Sequence, residues 1–237
     1  MRRLLPYLTG LFPGLNARAR MLYRTLAKGR DRHAYREFVA WTLLSGTIML
    51  GVSLWATFVT GWESFPILLV IGLLPFLELF NLAAAIFALV TTANTNSSEM
   101  FHLVGLTNLS HADRRKGFTA LAWISLRVPI ALFVGAAAGG TTGIALASLA
   151  TFGVQSLPAL LTYPLFLAWS VGTLLFIIYT NLEIGVNNAL RYGLTIATVA
   201  TTLFVSAILL PGALLVFGSG MLMVFLLLTS MLALAVG

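Results

Sequence analysis

From residue 39 onward the chain alternates long apolar runs with short connections that are polar or rich in glycine and proline. A bilayer core about 30 Å thick takes about 20 helical residues to cross, and the runs at 39–61, 65–92, 117–138 and 158–180 meet that length. The last apolar tract, 193–237, is too long for one crossing. Pro211 and Gly212, then Gly218, Ser219 and Gly220, divide it into expected spans at 193–214 and 216–236, joined by either a simple turn or a re-entrant segment. Ahead of the first span, Leu15, Ala19, Leu22, Tyr23 and Leu26 recur at helical spacing, with Arg18, Arg20, Arg24 and Lys28 around the other side. That pattern fits either an amphipathic helix lying on the membrane surface or a basic tail that sets topology and binds anionic headgroups. The expected fold class is an all-α membrane protein. It has a basic segment, 1–38, and a six-span transmembrane domain, 39–237, and no internal repeat stands out.

Composition narrows the function classes. With 59% hydrophobic and 9% charged residues and a mean hydropathy of +0.97, the chain lies well outside soluble-domain values. Six spans leave no room in 237 residues for a soluble catalytic domain. The net charge of +7 sits at the N-terminal end, where residues 1–38 hold nine of the fourteen Lys and Arg. That end lacks a signal-peptide pattern and is expected to stay attached. Arg114, Arg115, Lys116 and Arg191 fall in the connections 93–116 and 181–192, while the connections around Trp62 and over 139–157 carry no Lys or Arg. The positive-inside rule therefore puts the N-terminus in the cytoplasm, in a bacterial inner (plasma) membrane. The chain has no cysteine, no GxxxxGK[ST] phosphate loop, and no histidine in an expected span. Thiolate chemistry and nucleotide hydrolysis on this chain are not expected, nor is a bis-histidine haem or any other cofactor.

The polar stretch 93–116 interrupts this apolar pattern most conspicuously. Asn96 with Glu99, and Ser110 with Asp113, each have the spacing of a capping box. They predict a short cytoplasmic helix over 97–106, a turn through Thr107, Asn108 and Leu109, and then the start of the third span. Met100, Leu103 and Val104 share one side of that helix, and Glu99 and His102 share another. Such a helix either docks in a groove of a soluble partner or lies against its own bundle.

Residues 98–110, followed by basic residues and Gly117, resemble the coupling region of ATP-binding-cassette type-2 transporter permeases, in which a segment of the form GTLELLLxTPLS and a Gly-Lys pair join the second and third of six spans. The matching positions are Phe101, Leu103, Val104, Leu106, Thr107, Leu109, Ser110 and Gly117; the sequence departs at 95–98, at His102 and at Phe118. The amphipathic N-terminal helix, six spans and the segment 182–192 before the fifth also match. The resemblance implies a permease subunit, most often of an exporter, that works with a second permease copy or homologue and with a separate ABC-type ATPase. It assigns the ATPase contact to Glu99, Met100, Phe101, His102, Leu103, Val104, Leu106 and Thr107. The expected partners are thus the ATPase, a second permease and the lipid bilayer, with no nucleic acid. A structural subunit of a larger bacterial membrane complex is the alternative.

Glu78 and Arg127 are the charges deepest in the expected spans, at nearly matching depth on consecutive antiparallel helices. An unpaired charge at a helix centre costs about 2.5–3.5 kcal/mol on insertion scales. The two are therefore expected to pair, as an element of a substrate path or hinge or as a clamp between spans two and three. Pro75 and Pro129 lie beside them, where a missing amide opens the helix backbone.

Overall fold

The structure is a computed structural model that describes residues 17–27, 33–60, 65–97, 109–152 and 157–213. All regular structure among the described residues is helical. In chain order the helices are α1 (Ala17–Ala27), α2 (Ala34–Thr60), α3 (Phe65–Asn96), α4 (His111–Ser125), α5 (Arg127–Phe152) and α6 (Leu157–Tyr192), followed by α7 (Ile196–Ala213). Five of them, α2, α3, α5, α6 and α7, are long and apolar enough to cross a membrane. Large apolar side chains face outward, with Phe58 72% and Ile196 91% exposed, whereas Ala85, Ala88, Asn81 and Thr202 are fully buried. The interior also holds Leu89, Ile130 and Ile177; many large apolar side chains on the outside, with small and polar groups among those inside, suit a bundle whose solvent is lipid. Hydroxyls within the helices bond back to their own backbone, as Thr57 does to the Ser53 carbonyl and Thr142 to that of Ala138. Such bonds satisfy these donors without water, whereas the buried Ser53 Oγ and Ser206 Oγ have no partner.

Three boundaries differ from those read off hydropathy. The expected third span, 117–138, is cut at Leu126, which ends α4, and the spanning helix is α5, running Arg127–Phe152. Pro129 explains the cut, because in a continuous helix its absent amide would leave the Ser125 carbonyl without a partner and its ring would crowd that carbonyl. In the first turn of α5 the same proline costs nothing. The stretch 139–157, read as an outer connection, is consequently mostly helix within α5. The segment 181–192, read as a loop, continues α6, whose 36 residues reach roughly 54 Å and so exceed a 30 Å core. The expected fifth span matches α7, which continues through Pro211 and Gly212 to Ala213. The expected sixth span, 216–236, lies outside the described residues.

The chain forms two compact units. One contains Met1–Phe38, Leu79–Val128 and Ile178–Ile208; the other contains Val39–Glu78, Pro129–Ile177 and Leu209–Gly237. In the first, α1 packs on α4, and the C-terminal part of α3 packs on that of α6. A Cβ on Gly185 would lie 2.2 Å from the Ala85 carbonyl oxygen, and Leu89, Ala93 and Ala189 form one cluster. Positions 85 and 89 meet 185 and 189 in the same order, so these helices run parallel. In the second unit α2 and α5 are joined by a glycine seam. A Cβ on Gly135 would fall 2.2 Å from the Thr42 carbonyl, one on Gly139 2.1 Å from that of Gly46, and one on Gly143 2.5 Å from Ser53 Cβ. The order again makes the pair parallel, and the four-residue glycine spacing is the small-residue pattern that lets membrane helices approach closely.

These pairings expose an internal repeat that does not stand out in the sequence. A short helix followed by two long ones occurs twice, α1–α2–α3 and then α4–α5–α6, and α1 packs on α4, α2 on α5 and α3 on α6. Local sequence agrees at matching places. Ala-Thr-Phe stands at 56–58 and 150–152, Ser-Phe-Pro-Ile-Leu-Leu at 64–69 against Ser-Leu-Pro-Ala-Leu-Leu at 156–161, and Asn-Leu at 81–82 and 181–182.

Candidate functional site

The segment after the polar stretch is fixed from its first residue. Ser110 caps α4: the Asp113 amide donates to Ser110 Oγ at 3.1 Å, and the Ser110 amide donates to Asp113 Oδ2 at 3.3 Å. The capping box expected at this point is therefore present. Asn96 is the last residue of α3, and the Ser97 amide donates to the Ala93 carbonyl; Glu99 and most of the short helix expected over 97–106 lie outside the described residues.

α4 is clamped on two sides. On one, α1 lies across it with Ala19, Leu22, Tyr23 and Ala27 buried. Gly117 permits that approach, since a Cβ there would sit 2.9 Å from Leu22 Cδ2 and 3.3 Å from the Ala19 carbonyl oxygen. The apolar face of the N-terminal helix is thus occupied by protein rather than laid on lipid, and Met21, 70% exposed, is on the other face. On the other side, Arg115 Nε lies 3.0 Å from Glu183 Oε1 on α6.

At the far end of α4, Arg127 reaches Glu37 in the first turn of α2, with Nε 2.7 Å and Nη2 2.5 Å from Oε2. Its Nη1 donates to the Ile124 carbonyl at 2.9 Å, so one guanidinium both binds the carboxylate and caps the end of α4. The expected Glu78–Arg127 pair is replaced by this one. Because the spanning helix begins at Arg127 and not at Gly117, the arginine stands at the end of its span, level with the start of α2. Glu78, on α3, has its buried Oε2 without a hydrogen-bond partner.

A second polar feature lies one turn from the Ala85–Gly185 contact, on both helices. Asn81 and Asn181 are fully buried, and neither the Nδ2 nor the Oδ1 of either side chain has a hydrogen-bond partner. A buried polar group left unpaired costs about 1–3 kcal/mol. Along the same α6 face, Asn188 Nδ2 does find a partner, Thr202 Oγ1 on α7, at 2.9 Å.

Of the residues assigned to the ATPase contact, Glu99, Met100, Phe101, His102, Leu103, Val104, Leu106 and Thr107 all lie outside the described residues, as does Lys28. Arg18 is exposed on α1, and Arg20 and Arg24 belong to the same helix. Sequence reasoning missed Glu37 and Glu183 as partners of the two arginines, and it passed over Asn81 and Asn181. Asn81 carried a usable signal, a carboxamide within an apolar run, whereas Asn181 opens the polar segment 181–192 and gave none. No protein-family model, curated protein or solved structure matches the chain.

Proposed function

We propose that this chain is the membrane-spanning subunit of an ATP-driven transporter, an exporter in the cytoplasmic membrane with its N-terminus inside. The polar stretch 97–109 docks on a separate ATPase, and the complete subunit has six spans and works beside a second permease. The observation that carries the reading is the join between that stretch and the bundle. Ser110 caps α4 immediately after the coupling-like sequence, and α4 is tied to α1 at Gly117, to α6 by Arg115–Glu183, and to α2 through Arg127–Glu37.

A push on residues 97–109 would be delivered to the start of α4, a helix of 15 residues about 22 Å long. A capped helix moves as a rigid lever, and its ties spread that motion to α1, α2 and α6. Hydrolysis stays on the partner; this chain supplies the mechanical path. The test is gentle solubilisation of native membranes and capture of the full chain. Co-purification of a P-loop ATPase is the expected result. Co-purification with redox or photosynthetic subunits and no ATPase would replace this reading with that of a structural subunit.

A further inference from the structure

Asn81 and Asn181 are fully buried and keep both side-chain polar atoms unpaired; among the described residues Ser53, Glu78 and Ser206 also keep a buried side-chain oxygen without a partner. The two asparagines occupy equivalent places in the two repeats, each followed by leucine and each one helical turn from the α3–α6 contact at Ala85 and Gly185. Because α3 and α6 run parallel there, the two side chains stand at the same level. Asn81 is 15 residues from the end of α3 at Asn96 and Asn181 is 11 from the end of α6 at Tyr192, or roughly 22 and 16 Å along the helices. Asn81 stands 16 residues into α3 within its apolar run, and Asn181 stands two residues before Glu183, where the polar segment 181–192 of α6 begins.

Each carboxamide offers two N–H donors and an acceptor oxygen with two lone pairs. Even a reciprocal bond between the two would use only half of that capacity, and the structure shows neither bonded to the other or to anything else. Lipid cannot supply the missing partners. In membrane proteins built from repeats, binding sites lie at the repeat interface, and these two residues are at the α3–α6 interface.

We propose that Asn81 and Asn181 together form a binding site for an uncharged group that both donates and accepts hydrogen bonds, such as a hydroxyl or amide carried by a lipid-soluble molecule. The neutral carboxamides favour such a group over an ion, and outward-facing Phe76, Leu79 and Phe176 on the same helices suit an apolar carrier arriving from the bilayer. The site rests on the fold and not on the ATPase reading.

The test uses the purified full-length protein in detergent with 1-monoolein, an uncharged amphiphile with two free hydroxyls. 1-Octadecene serves as the apolar control and oleylamine as the cationic one. Monoolein is expected to raise the unfolding temperature of the wild type in a saturable manner, and to leave that of the Asn81→Leu/Asn181→Leu variant unchanged. Replacing both carboxamides by similar-sized apolar groups removes the unpaired atoms, so the variant should fold. A diazirine-bearing monoolein should label α3 and α6 beside the two asparagines in the wild type, which keeps the test independent of the variant's folding. No saturable shift in the wild type, an equal shift in the variant, an equal shift with octadecene, a response to oleylamine alone, or labelling elsewhere would overturn the site.

Discussion

Arg127 holds Glu37 through two nitrogens on one carboxylate oxygen, at 2.7 and 2.5 Å, while the same guanidinium caps the last turn of α4. The pair is partly exposed, with side-chain accessibilities of 21% and 40%, so its Coulombic gain is worth at most about 1 kcal/mol. The Ile124 carbonyl contributes a further interaction that only the arginine can make. Arg127→Met should therefore lower the unfolding temperature more than Glu37→Gln does, and the exchanged pair Glu37→Arg with Arg127→Glu should recover only part of the loss. Equal effects of the two single changes in thermal unfolding would argue against the capping role.

Gly185 is a close contact between α3 and α6. A methyl group there meets backbone, the Ala85 carbonyl oxygen at 2.2 Å, which cannot rotate away. Gly185→Ala should cost about 1–3 kcal/mol in an unfolding titration, the range for overpacked interiors. Gly172→Ala on the same helix meets nothing within 4 Å and should be neutral or slightly stabilising through helix propensity.

Gly117 is more forgiving toward a small side chain, because its nearest neighbour is the flexible end of Leu22 at 2.9 Å. Gly117→Ala should be mild, and Gly117→Trp should lift α1 off α4. The readout is trypsin cleavage at Arg18, Arg20 and Arg24, expected to be slow in the wild type and in the alanine variant and fast in the tryptophan variant.

The Ser110 cap can be tested without touching the bundle. Ser110→Ala removes the acceptor for the Asp113 amide and should cost about 1 kcal/mol, while Ser110→Asp or Ser110→Thr should retain most of the stability. Amide hydrogen exchange over 111–114 should rise only in the alanine variant.

Hydropathy marked α2, α3, α6 and α7 well because each is a long apolar run, and the local signal at Ser110 and Asp113 located the start of α4 correctly. It misplaced the third span because α4 is itself apolar from Gly117 to Ser125; burial against α1 selects the same residues as burial in a bilayer. That error moved Arg127 to mid-membrane and suggested Glu78 as its partner, when Pro129 already marked the helix boundary. The extension of α6 through 181–192 was obscured by Glu183, Asn187, Asn188 and Arg191, polar residues that protein contacts such as Arg115–Glu183 accommodate. The repeat was hidden because its halves share only a few short strings, while the pairing of α1 with α4, α2 with α5 and α3 with α6 exists only in three dimensions.

The central claim is that residues 97–109 bind an ATPase. A photo-crosslinking amino acid at position 102, irradiated in native membranes and followed by mass spectrometry of the adduct, tests this most directly. The account predicts an adduct with a soluble P-loop ATPase, lost when Glu99 and Val104 are also replaced. An adduct confined to lipid, to this chain, or to a subunit without a phosphate loop would contradict it.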